Sequence, residues 1–139
     1  MKRMILGSLV LILFINLSIA QEVTDEHVWK YALMTEVVDQ MKADLSKAVN
    51  ETIKKQEGMT GARYKELAGG AEAANDFETK FMANIKKLKD SRVAAIKSVN
   101  SDLATKMLGS ATVYKAVKAA VKTEKKDKYE EYRSQIGFQ

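Results

Sequence analysis

From Thr24 to Gln56 the chain carries no glycine and no proline, and its apolar residues return on a seven-residue cycle. Tyr31, Met34, Val38, Met41, Leu45 and Ala48 follow one another at steps of three and four. That spacing puts them on one side of an α-helix, as the seam of a bundle or coiled coil. Val37, Val49 and Ile53 widen the stripe, while Lys42, Asp44, Lys47 and Lys54 fall on the other side. Thr24 is suited to cap the start, and Asp25 and Glu26 suit the positive end of the helix dipole.

The rest of the chain extends the pattern. With no proline and 7 glycines in 139 residues, breaks are expected only where glycine sits. Gly58 ends the first helix as a C-terminal cap, and a short connector helix is predicted over Ala62 to Ala68, presenting Tyr64 and Leu67. After Gly69-Gly70, Asn75 followed by Glu78 forms a variant of the capping box and opens a second long helix. Its stripe is Phe77, Phe81, Ile85 and Leu88, then a shifted one of Val93, Ile96, Asn100, Leu103 and Met107. A break at Lys89-Asp90-Ser91 competes with a continuous helix. The absence of glycine or proline favours continuity as far as Gly109. A third long helix is predicted from Ser110 or Thr112 to about Gln135, with Val113, Val117, Ala120 and Val121 on its apolar side. Strand-like alternation is absent. The expectation is an all-α helical bundle of three long helices plus one short connector. Its seam packs Tyr31, Met34, Val38, Met41 and Leu45 against Phe77, Phe81, Ile85 and Leu88.

The first 20 residues have a different character. Lys2 and Arg3 precede an apolar run from Met4 to Ile15, and Ser18-Ile19-Ala20 supplies small residues before a cut. This is the layout of a secretory signal peptide. Its core of about 12 residues is shorter than the roughly 20 needed to cross a bilayer as a helix. Cleavage after Ala20 would leave residues 21–139 as a single helical domain, exported to the periplasm or secreted. Export permits disulfides, yet the chain has no cysteine, so it relies on packing or on self-association.

Chemistry-bearing constellations are hard to find. His27 is the only histidine, and no nucleophile-elbow motif accompanies it. One histidine without cysteine falls short of the usual zinc ligand sets, and no calcium-binding loop is visible. No cofactor is expected. Gly69-Gly70 lacks the lysine and the preceding strand of a phosphate loop. Asn50-Glu51-Thr52 is a chance match to a glycosylation acceptor inside a helix. Two carboxylates could serve a small hydrolase. Most acids, however, sit within one turn of a lysine, as Asp44 with Lys47 or Glu51 with Lys55, which is the pattern of a solvated helix surface.

Charge is unevenly spread. From Gln21 to Gly109 there are 14 basic and 14 acidic residues, whereas from Ser110 onward 7 basic face 4 acidic, a net +3. Lys115, Lys118, Lys122 and Lys125 or Lys126 recur at helical spacing, a basic stripe opposite the apolar side of the last helix. Such a stripe suits contact with an anionic surface or an acidic partner. An aromatic-plus-basic array for nucleic acid is lacking, so no nucleic acid is expected.

Val23-Thr24-Asp25-Glu26 and Lys30-Tyr31-Ala32 open the long helix, and Gly58-Met59-Thr60 leads into Arg63-Tyr64-Lys65-Glu66-Leu67-Ala68. In these residues, Val23 to Leu67 resembles a loosely defined group of exported bacterial all-α domains without assigned activity. The resemblance implies a periplasmic or secreted helical protein and transfers no catalytic residue. The expected function is a non-catalytic interaction or structural role in the cell envelope, toward a protein or an anionic envelope component. The alternatives are a small carboxylate-dependent hydrolase, and an anionic-membrane-surface binder acting peripherally through the basic C-terminal helix.

Overall fold

The computed structural model describes residues 22–137. The expected signal peptide and its cleavage point lie outside the described residues. Five helices and, among the described residues, no strands make up the chain: α1 (Asp25–Lys55), α2 (Gly61–Ala68), α3 (Asp76–Leu108), α4 (Ala111–Ala120) and α5 (Lys126–Ile136). The all-α class is therefore as expected, and the count of elements is not.

Each early start is capped by the residue the sequence marks. Thr24 Oγ1 accepts from the backbone N–H of His27 at 3.3 Å, and the Thr24 N–H donates to His27 Nδ1 at 3.3 Å. This is a capping box with histidine in the place usually taken by glutamate, so the lone histidine has a local structural task. Thr60, Asn75 and Ser110 accept from the N–H three residues on, at 3.1, 2.9 and 3.2 Å. α3 runs unbroken through Lys89-Asp90-Ser91 and ends where Gly109 takes φ 80°, a left-handed cap that suits glycine. α1 ends on Gln56, and Gly58, at φ 81°, makes the following turn rather than the cap itself.

The main correction concerns the end of the chain. The single last helix expected from Ser110 to Gln135 is two helices, α4 and α5, parted by Val121–Lys125. The Lys125 N–H reaches back to the carbonyl of Ala120 at 2.8 Å, and Thr123 Oγ1 donates to the carbonyl of Ala119 at 3.2 Å. The reversal lays α5 along α1. There Tyr129 meets Tyr31 (centroids 5.7 Å apart), and Tyr132 meets Trp29 edge-on at 5.1 Å. A continuous helix would carry both tyrosines off the end of the core at about 1.5 Å per residue.

α1 and α3 lie antiparallel and share two separate cores. At one end Val28, Met34, Ala104 and Leu108 pack with Val113, Val117 and Val121 under α4 and α5. At the other, Val49, Ile53, Phe81 and Ile85 pack with Met59 and Leu67 under α2. The expected single seam is thus divided. Met34, Val38, Phe81 and Ile85 are buried. Tyr31, Met41, Leu45 and Leu88 are only half-buried, and Phe77 is 37% exposed, stacked on Phe81 and closing over Gly58. Between the two cores α1 and α3 meet, Arg133 of α5 reaches Glu36 and Asp39 of α1, and Val93, expected in a buried stripe, is 55% exposed.

Candidate functional site

The stripe expected from Lys115, Lys118, Lys122 and Lys125 or Lys126 is split by the turn after Ala120. Lys115 and Lys118 lie on α4 and Lys122 in the turn, all exposed. Among the described residues none of these three has a carboxylate within ion-pair distance. Lys118 extends over the ring of Tyr114, with Nζ 5.8 Å from its centroid. Lys125 instead binds Asp25 at the start of α1, at 2.8 Å, and Lys126 pairs with Glu130 at 3.8 Å. Lys125 and Asp25 hold each other charged: the hydrogen bond between them lowers the carboxyl and raises the ammonium. The apolar side opposite the stripe is also committed, because Val113, Val117, Ala120 and Val121 are buried in the protein. No apolar half of this helix is left to enter a lipid surface.

A second basic feature lies beside α4 and was not evident in the sequence. A cavity of about 340 Å³ opens between α1 and α3 next to α4, bordered by Tyr31, Val38, Lys42, Ile96, Lys97 and Lys118. Val93 lies at its edge and also borders a neighbouring hollow shared by Leu45, Val49, Tyr64 and Lys89. Lys42, read as an outward residue, reaches Asp39 at 3.1 Å, and the other carboxylate oxygen of Asp39 binds Arg133 of α5 at 3.1 Å. Lys89 donates to Tyr64 Oη at 2.6 Å. The residues that carried the signal are Lys89, Val93, Ile96 and Asn100, at steps of four, three and four on one face of α3. Their mixed polarity hid it.

The tyrosines around this cavity are closely packed. Tyr31 lies between Tyr114 (5.8 Å) and Tyr129 (5.7 Å), and burial pushes its phenol up to about 12. The neighbouring phenols add to the shift.

Four carboxylates have neighbours that favour their charged form. Glu78, the one buried acid among the described residues, receives two bonds from Arg63 and one from the Ala74 N–H, and is held down at about 2, chiefly by Arg63. Asp25, Glu26 and Glu124 are also lowered, by Lys125, Lys30 and the Thr123 hydroxyl. The cavity beside α4 has one carboxylate, Asp39. The hollow of about 430 Å³ between α2 and α3 has one, Asp90, which is bound to Lys86. Among the described residues no three of His, Cys, Asp and Glu converge as metal ligands, and no helix is long and apolar enough to cross a membrane. No protein-family model, curated protein or solved structure matches the chain.

Proposed function

We propose that the protein acts by binding rather than by turnover, as an exported helical component of the cell envelope that meets an acidic protein or an anionic envelope component. The observation that carries this reading is the row of exposed lysines without carboxylate partners, Lys115, Lys118 and Lys122, on α4 and the turn after it. The direction of the carboxylate shifts adds support. A hydrolytic acid is held protonated by a raised pKa, whereas Glu78 and its fellows are lowered by basic or hydroxyl neighbours. The charged N-terminus, apolar run and Ser18-Ile19-Ala20 support export.

Contact through these lysines is electrostatic and weak. Each lysine near an anionic membrane contributes about 1 kcal/mol within a Debye length of roughly 8 Å, so three give about 3 kcal/mol, weaker than millimolar. Co-sedimentation with phosphatidylglycerol vesicles tests it, at low and high salt and beside neutral vesicles. Retention on the anionic vesicles alone, lost at high salt and in the Lys115→Glu/Lys122→Glu variant, is expected. No retention at low salt, or retention indifferent to salt, would reject the anionic-surface reading. Intact mass of the protein from its native host tests export: a mass that includes residues 1–20 would refute cleavage.

A further inference from the structure

α1 and α3 are roofed by α2 at one end and by α4 at the other, and the two roofing helices lie on the same side of the pair. This follows from the borders of the two adjoining hollows. One takes Tyr114 and Lys118 from α4, the other takes Tyr64 from α2, and both share Val93 on α3. Between those two roofing helices the hollows are bordered by residues of α1 and α3, and α5 meets α1 beside them through Arg133, which binds Asp39. Along this stretch α3 presents Lys89, Val93, Ile96 and Asn100, while α1 presents Val38, Lys42 and Leu45. Both rows keep the three-four spacing of a seam that expects a partner helix. Val93 stays 55% exposed on that seam. From Lys89 to Asn100 the stretch is about 17 Å long, three helical turns.

The rim decides what can fill it. Lys89, Lys97 and Lys118 border the stretch, and among the described residues none has a carboxylate within ion-pair distance. The one acid there, Asp39, is already bound by Lys42 and Arg133. A second copy offering the same lysine-rimmed face would meet it with like charge. We infer that this stretch binds an amphipathic helix of a partner protein, with an apolar stripe seated on Val93, Ile96 and Leu45 and glutamate or aspartate flanks meeting Lys89, Lys97 and Lys118. The inference rests on the binding reading above and gives its partner a chemistry. A helix laid into a groove between two others is a common mode of recognition, and its apolar burial adds affinity that the exposed lysines alone do not supply.

The probe is a fluorescein-labelled synthetic helix of about 16 residues, long enough to span the stretch at 1.5 Å per residue. It carries leucines at a and d positions and glutamates beside them, and its binding to the full processed chain is read by anisotropy. Two control peptides share its length: one scrambled to destroy the stripe, one with lysine in place of glutamate. The acidic striped peptide is expected to bind at least about tenfold more tightly than either control. Val93→Glu is expected to weaken it by a similar factor. Because Val93 is exposed, that change leaves the fold intact, and Lys97→Glu provides a second variant at an exposed position. Lys115→Glu, on the outer face of α4, should leave peptide binding within about twofold. Equal binding by Val93→Glu and Lys97→Glu, or by the scrambled peptide, would overturn the inference. So would a concentration-dependent dimer that Val93→Glu dissolves, since a second copy would then be the occupant. Vesicle retention lost in Lys115→Glu/Lys122→Glu is independent of these outcomes, so failure of the groove and failure of the anionic-surface reading are told apart.

Discussion

Arg63 on α2 grips Glu78 on α3 with a two-pronged hydrogen bond, Nε to one carboxylate oxygen at 2.8 Å and Nη2 to the other at 2.7 Å. The same guanidinium binds the carbonyl of Glu72 at 3.0 Å, and the Ala74 N–H donates to Glu78 at 2.7 Å. One ion pair therefore closes the loop between the two helices and fixes the angle at which α3 begins. Planar, bidentate geometry of this kind is what arginine provides and lysine cannot.

Acid should loosen this end of the molecule first. Glu78 is held near 2 in the folded chain against an ordinary value of 4.5, so its contribution is present above about pH 4.5 and fades as the pH falls toward 2. Chemical denaturation followed across that range should show the midpoint falling in the wild type. The Glu78→Gln variant should start lower and depend less on pH. An unchanged acid profile in Glu78→Gln would show that the pair does not govern acid sensitivity.

The alkaline side has its own marker. Tyr31 is raised to about 12 by burial between two other phenols, so its contribution is complete below pH 10 and disappears as the pH rises through 12. Absorbance titration at the phenolate band should show one late-ionising tyrosine, and Tyr31→Phe should remove that last step. A titration in which all tyrosines ionise together near 10 would contradict the packing described.

Core substitutions should distinguish the ends from the middle. Met34 is 1% exposed, and Met34→Ala should cost about 2–5 kcal/mol, whereas the half-buried Leu45 should cost only about 1–2 kcal/mol on truncation to alanine. Urea denaturation measures both. Equal losses would mean that the middle of the α1–α3 pair is as closely packed as its ends.

The position of α5 can be read from the single tryptophan. Trp29 meets Tyr132 edge-on at 5.1 Å, and Lys128 lies 4.8 Å above the Tyr132 ring. Tyr132→Ala should uncover Trp29 and shift its emission to longer wavelength, while Tyr132→Phe keeps the ring and the spectrum. If Tyr132→Ala leaves the emission unchanged, α5 does not rest on α1.

Local signals determined the helices. Thr24, Thr60, Asn75 and Ser110 cap where their side chains can satisfy free N–H groups, and Gly109 ends α3 because its φ of 80° suits a residue without a Cβ. Those effects act within a few residues and are legible in a linear sequence. The break between α4 and α5 is not, because Val121–Lys125 contains neither glycine nor proline; it depends on Tyr129, Tyr132 and Lys125 finding Tyr31, Trp29 and Asp25 about a hundred residues away. Periodicity identified apolar faces but not how many helices would cover them. Phe81 and Val93 belong to successive apolar stripes of one helix, yet Phe81 is roofed by α2 and Val93 stays 55% exposed. Burial is a property of the neighbours a residue meets, and only the tertiary arrangement of α2 and α4 along the α1–α3 pair decided which residues of that seam would meet one.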